Sequence, residues 1–186
     1  MNMRAMGDKM KLGIALVSRI LTGEEPCLRK VQLQRRYELP VNKKLVEYTV
    51  KHEYLVSQIV NKFKNEVVIN RTVEIDLDRV KLVGKIDVIL VRDIPVIIEV
   101  KSGSEKASHH VQLWLYMIGY GGITEGILRY STVKYWYSLK DIPCNLLNLA
   151  KERVRPLLTD RLLPPVRNSH CSHCQYKQIC ELKERR

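Results

Sequence analysis

The sequence predicts an α/β domain in which a β-sheet carries helices over both faces. Three observations lead there. Gly84 to Gly103 reads as strand–turn–strand, with β-branched-rich runs at Val83–Val91 and Ile94–Lys101 joined by Arg92-Asp93. The second run holds Val96, Ile97, Ile98 and Val100 without apolar–polar alternation, as in a strand covered on both sides. Helical patterns stand before and after this unit, at Val41–Asn65 and at Glu105–Gly119.

The chain has 186 residues, enough for one domain with a sizeable core. Lys and Arg number 32 against 20 Asp and Glu, a net charge of +12, which points to a polyanionic partner: nucleic acid first, an anionic membrane surface second. The basic pairs Arg29-Lys30, Arg35-Arg36 and Lys43-Lys44 are scattered rather than gathered in a tail. No apolar run approaches the ~20 residues of a membrane span. The apolar core Leu12–Val17 is too short for a signal peptide and is followed by Ser18-Arg19, so the expected location is the cytoplasm. Five cysteines, an odd number, argue against a disulfide framework and for thiolate ligands.

Taken in order, Asp8 is the expected cap of a first helix that ends near Thr22-Gly23, with Met10, Ile14, Val17 and Leu21 on one stripe. Leu28–Pro40 is basic and reads as a short strand if anything regular. In Val41–Asn65, Leu45, Tyr48, His52, Leu55, Val56, Ile59 and Phe63 recur at helical spacing, placing His52 toward the core. Glu66–Asp78 is strand material, alternating over Val73–Leu77. After the central hairpin, Ser102-Gly103-Ser104 leads into the helix that carries Gln112 and Tyr116 four residues apart, on one face. Ile127–Tyr130 and Val133–Leu139 form a second hairpin; Tyr135, Trp136 and Tyr137 in it are core residues or, less simply, a base-stacking platform. A helix runs from Pro143 to about Arg155, and Pro164-Pro165 closes the compact part.

The charged residues inside the central strands carry the chemistry. Glu99 and Lys101 share a face with Ile97, because strand side chains repeat every two residues, and Asp87 interrupts the apolar run Ile86–Val91. Charges in buried strands are costly unless they pair or hold a metal. Two nearby carboxylates resist joint ionisation, a divalent metal removes the conflict, and an adjacent lysine offsets charge growing on a phosphate. That set suits phosphodiester hydrolysis. The plain alternative is a solvated strand face with a Glu–Lys pair. His52 is a core histidine or, if its helix packs on the sheet, the nitrogen that completes a metal site with Asp87 and Glu99.

Near the C-terminus, Cys171, Cys174 and Cys180 give C-x2-C-x5-C, a metal-binding spacing one ligand short of four. Cys27, Cys144, His170 and His173 are the candidates for the fourth. A histidine suits zinc; a fourth cysteine suits zinc or an iron–sulfur cluster.

Together these residues resemble the RecB-like branch of the PD-(D/E)xK superfamily, and more closely the CRISPR-associated exonuclease family called Cas-four. The resemblance runs from Cys27 to Cys180. It matches a helical His in His52-Glu53, an Asp in Gly84-Lys85-Ile86-Asp87, Glu-x-Lys in Glu99-Val100-Lys101, and Gln-x-x-x-Tyr in Gln112 to Tyr116. Members often carry Gly four residues before the His, where this chain has Tyr48, and the Asp-to-Glu interval is short, implying a tight hairpin. The resemblance implies a restriction-endonuclease-like mixed sheet flanked by helices. It implies a single domain over residues 1–186, with 1–40 and 164–186 forming the cluster-binding part. His52, Asp87, Glu99 and the Val100 carbonyl would bind Mg²⁺ or Mn²⁺, Lys101 would assist attack, and Gln112 and Tyr116 would position the strand. Cys27, Cys171, Cys174 and Cys180 would hold an iron–sulfur cluster, [4Fe–4S] or [2Fe–2S], leaving Cys144 free. The implied activity is exonuclease action on single-stranded DNA, 5′ to 3′, trimming ends for CRISPR spacer acquisition alongside the CRISPR integrase. The alternatives are a repair nuclease of the same superfamily and a non-catalytic adaptor that binds DNA ends.

Overall fold

The computed structural model describes residues 9–37 and 43–184, and the side chains of all of these except 43–46 and 181–184. Asp8, Pro40 and Val41 therefore lie outside the described residues, as does the side chain of Leu45. Among the described residues six strands form one mixed sheet: β1 (Met10–Gly13), β2 (Val67–Leu77), β3 (Val80–Leu90), β4 (Val96–Val100), β5 (Glu125–Arg129) and β6 (Lys134–Ser138). Helices α1 (Ile14–Leu21), α2 (Leu28–Arg36), α3 (Lys43–Phe63), α4 (Ala107–Tyr120), α5 (Leu146–Val154) and α6 (Lys177–Glu184) surround it.

The long strand β3 organises the sheet. Along one edge it pairs antiparallel with β2, from Val67↔Leu90 to Leu77↔Val80, through a tight turn in which Asp78 is left-handed at φ 66°. Its other edge is shared. β1 pairs parallel over Met10↔Val80 to Gly13↔Val83, and β4 pairs antiparallel over Val88↔Ile98 to Leu90↔Val96. Between them, residues 84–87 have no ladder partner on that edge among the described residues, and the sheet forks there. β4 and β5 run parallel, joined by α4 as a crossover, and β6 returns antiparallel at the far edge.

Two apolar cores fill the two faces. Ile97, Leu128, Leu113, Leu115 and Met117 pack with Ile14, Val17, Ala150 and Val154 beneath α1, α4 and α5. Val96, Ile98, Val100 and Ile127 pack with Ile59 beneath α3. The non-alternating run at Val96–Val100 is thus buried on both sides, as its composition requires. On β3 the sides change over: Val80, Leu82 and Ile86 join the first core, yet Val88 and Leu90 join the second. A regular strand keeps residues two apart on one face, so the strand turns over between Ile86 and Val88. β2 does the same: Val67 leans on the second core, while Val73, Ile75 and Leu77 belong to the first.

Several elements differ from the sequence reading. The first helix starts at Ile14, and Met10–Gly13 is a strand. Met10 and Leu12 alternate with Lys11 and Gly13, and the open edge of β3 offers backbone partners that outweigh the helical stripe. Leu28–Arg36 is a helix, with Arg29, Val31, Gln32 and Leu33 buried and Arg35 and Arg36 exposed. The central hairpin is looser than Arg92-Asp93 alone, because Val91 and Ile94 are exposed and β4 begins only at Val96. Tyr48 is 55% exposed rather than on the core stripe. Pro164-Pro165 does not end the packed chain: Tyr176 is buried beyond it.

The segment after α5 is bound back onto α2. Arg29 donates to the carbonyls of Leu163 (3.4 Å) and Cys180 (3.1 Å). Buried Gln32 donates to the carbonyls of Thr159 (3.3 Å) and Arg161 (3.1 Å) and accepts from the Leu163 N–H (2.8 Å). Removing one side chain would strand three backbone groups. Gln32→Ala is expected to cost about 2–3 kcal/mol of unfolding free energy, read by urea titration, whereas a change at exposed Gln34 should stay within about 0.5 kcal/mol.

Candidate active site and cysteine cavity

The fork in the sheet holds the charged residues. Asp87 sits where β3 changes face, so its carboxylate meets groups from both sides. Its Oδ1 lies 3.2 Å from His52 Nε2 on α3, and its Oδ2 accepts the Val100 N–H at 2.8 Å. Val100 therefore enters through its backbone, its side chain being in the core under α3. Glu99, on the α4 side, is 2% exposed. Its Oε1 accepts from Lys101 Nζ (2.6 Å) and from Gln112 Nε2 (2.7 Å). Gln112 Oε1 accepts from Lys101 (2.9 Å), and Gln112 Nε2 also reaches the Tyr116 hydroxyl (3.1 Å). The Gln-x-x-x-Tyr spacing on α4 thus works as one helical face laid over Glu-x-Lys.

Electrostatics follow from burial. Burial pushes the Glu99 carboxyl up to about 8, with the Lys101 ammonium opposing and Asp87 adding to the rise. The hydrogen bond to Asp87 holds His52 above its usual range. Burial, then Glu99, raises the Tyr116 phenol. His52 is not a core histidine; its side chain is one-third exposed at the site's rim.

The donors fit a hard divalent cation. Glu99 Oε2 is buried with no hydrogen-bond partner among the described residues, an oxygen left for a proton, a water or a cation to satisfy. Asp87 adds a second carboxylate and His52 an imidazole, the mixture that accepts Mg²⁺ or Mn²⁺. Among the described residues no three His, Cys, Asp or Glu side chains are already gathered into a metal shell, here or elsewhere. His52 and Asp87 face each other, while Glu99 spends its Oε1 on Lys101 and Gln112.

A cavity lies between α2 and the segment beyond α5. Cys27, Cys171, Cys174 and Cys180 line one cavity with Lys30, Arg167 and Lys177. Cys27 caps α2, and the Asn168 N–H points at Cys171 Sγ at 3.4 Å. Among the described residues no disulfide joins the cysteines; Cys144 is exposed, and neither it nor His170 or His173 lines this cavity. The four thiols share this lining without being gathered into a metal-binding group among the described residues.

Some contributors escaped the sequence reading. Gly84 lets Tyr116 approach: a Cβ there would stand 2.6 Å from Tyr116 Cε1 and 3.1 Å from Ile14. A glycine inside a strand run was the available signal. Glu24 caps α4, accepting from Ser108 N–H (2.9 Å) and Oγ (2.7 Å). Burial works against its charge, yet these bonds hold it below the usual carboxylate range. His109, beside the site on α4, is pushed down to about 4 by burial and then by Lys101, and its Nδ1 meets the Tyr130 hydroxyl at 2.8 Å. Tyr135 and Tyr137 pack edge-on to His110, while Trp136 is the exposed member of the trio.

The chain thus presents a mixed sheet with helices on both faces, an acid at the fork and Glu-x-Lys at the end of the adjoining strand. The sequence matches the PD-(D/E)XK nuclease superfamily over residues 15–181, and the chain belongs to that superfamily. None of the curated proteins matches it in sequence. Among solved structures, SSO0001 superposes with a TM-score of 0.61 at 18% identity, covering 94% of this chain and 88% of that one. The alkaline exonuclease LHK-Exo of Laribacter hongkongensis superposes with a TM-score of 0.55 at 11% identity, covering 94% of each chain. Both likenesses are of fold. Among the described residues no helix is long and apolar enough to cross a membrane.

Two predictions follow from this geometry. Gly84→Ala is expected to cost about 1–3 kcal/mol by overpacking, and to lower cleavage by shifting Tyr116 and Gln112; urea unfolding and nuclease assays measure the two effects. His109 is held below the unfolded value of about 6.5, so its contribution is fully present above that pH. It is lost as pH falls toward about 4. Scaled for partial exposure, the loss is about 1–2 kcal/mol. Unfolding measured between pH 7 and 4 should show a shallower decline in His109→Gln.

Proposed function

We propose that this chain is a metal-dependent deoxyribonuclease acting on single-stranded DNA from an end, with an iron–sulfur cluster in the cysteine cavity. The observation that carries the catalytic reading is the buried Glu99 carboxylate, fixed through one oxygen by Lys101 and Gln112 and left open at the other, beside Asp87. His52, Asp87, Glu99 and the Val100 carbonyl are the proposed metal ligands. A bound Mg²⁺ or Mn²⁺ supplies Lewis acidity to the phosphate and acidity to a water. The protein's own groups do the rest. Lys101, tethered by Glu99 and Gln112, stands beside the acids and offsets phosphate charge as it builds. Gln112 fixes the orientation of both, and Tyr116 fixes Gln112. The closely packed strands keep bulk water from Glu99. The net charge of +12 supports salt-sensitive, sequence-independent affinity for DNA.

The cluster reading rests on four cysteines, one from the start of α2 and three from beyond α5, that line one cavity among three cationic side chains, which suits an anionic group. It is consistent with one nuclease domain over residues 1–186, in which 1–40 and 164–186 form the cluster-binding part. In this reading the enzyme works in the cytoplasm, trimming DNA ends before the CRISPR integrase inserts them.

The test is anaerobic purification with iron, sulfide and zinc analysis, then cleavage of end-labelled single and double strands with and without Mn²⁺. Expected are a brown protein and Mn²⁺-dependent loss of nucleotides from single strands. Asp87→Ala and Lys101→Ala should each lower cleavage at least about a hundredfold while retaining the cluster and most DNA binding. Cys27→Ser should lose iron. Full activity in either catalytic variant would refute the mechanism, and a colourless zinc protein would refute the cluster.

A further inference from the structure

We propose that Asn70 is a positioning residue for the Asp87 carboxylate, acting through its backbone conformation rather than its side chain. The inference rests on the nuclease reading above. Asn70 lies on β2 directly across from Asp87: the register fixed by Ile69↔Val88 and Arg71↔Ile86 puts the two opposite each other, and the ladder lapses at this pair. Asn70 has φ 56°, the left-handed region, in the middle of an eleven-residue strand. Both strands change faces around this point. Val67 and Val73 on β2 belong to different cores, as do Ile86 and Val88 on β3.

The consequence for Asp87 is geometric. Without the turnover, Asp87 would follow exposed Lys85 in the alternation, and Val88 and Leu90 would be driven into the wrong core. With it, Asp87 stands at the seam, one oxygen toward His52 and the other on the Val100 N–H. Asparagine tolerates left-handed backbone far better than most residues, glycine tolerates it freely, and β-branched residues resist it. The Asn70 side chain is exposed. The role therefore belongs to the backbone, and a residue with no side chain should fill it.

Asn70→Gly and Asn70→Val test this, with Mn²⁺ affinity read by electron paramagnetic resonance titration, cleavage of labelled single-stranded DNA, and near-ultraviolet circular dichroism for folding. Asn70→Gly is expected to match the wild type within about twofold in both affinity and cleavage. Asn70→Val, though folded, should bind Mn²⁺ about tenfold or more weakly and lose cleavage in proportion at limiting metal. If Asn70→Val does not fold, Asn70→Ala takes its place and should show a smaller shift in the same direction. Wild-type Mn²⁺ affinity in the folded variant would overturn the proposal, and so would an Asn70→Gly protein as impaired as Asn70→Val. A wild type that neither binds Mn²⁺ nor cleaves DNA would instead sink the nuclease reading, and this inference with it.

Discussion

Burying the Glu99 carboxylate sets most of the other demands on this chain. At 2% exposure it cannot remain ionised on water's account, and burial alone drives it toward the protonated form. The surroundings partly offset this with an ammonium and an amide on a single oxygen. The amide of Gln112 has only one useful orientation here, since its oxygen must face Lys101 and its nitrogen must face Glu99 and Tyr116. That requirement fixes the rotation of α4. The rotation brings the Tyr116 ring against the β3 backbone, and the contact tolerates only a glycine at position 84. A buried acid on one strand thus dictates a residue with no side chain on the next, by way of a helix.

The same helix ties the two sites together. Its N-terminus is held by Glu24, whose carboxylate takes both the backbone and the hydroxyl of Ser108. Three residues later comes Cys27, in the lining of the cysteine cavity and at the start of α2. From α2, Arg29 and Gln32 reach across to the segment after α5 and to Cys180. The cavity and the anchor of α4 therefore share one short run of chain, from Glu24 to Cys27. A group that fastened Cys27 to the C-terminal thiols would also steady the anchor of α4.

Much of this was legible in the sequence because it lies in short-range patterns. Glu-x-Lys and Gln-x-x-x-Tyr each put their residues on one face by local geometry, and unbroken apolar neighbours marked β4 as doubly covered. What was not legible depends on distant pairing. Met10–Gly13 became a strand because β3 left an edge open, a fact absent from its own composition. Leu28–Arg36 became a helix because its buried face meets residues 159–163, more than a hundred positions away. Tyr48 fitted the helical stripe by spacing, but α3 is covered by the sheet only along its later turns, where Leu55, Val56, Ile59 and Phe63 pack. Spacing assigns a face; it does not say how far along the face the neighbour extends.

The turnover at Asp87 explains how one sheet gathers groups from helices on opposite sides. In a regular strand each side chain commits to one face, so residues under α3 and residues under α4 stay separated by the thickness of the sheet. His52 comes from the first helix and Gln112 from the second. They act on neighbouring acids, His52 on Asp87 and Gln112 on Glu99, because β3 and β4 part company after Val88↔Ile98, and because β3 turns over at that point. The fork exposes the Val100 N–H, which an unbroken ladder would have consumed, and Asp87 takes it. The acid is thereby held by backbone on one side and left facing imidazole on the other. A carboxylate at such a seam is fixed without being enclosed: the Asp87 side chain keeps 15% of its surface exposed and so stays within reach of a group arriving from solvent.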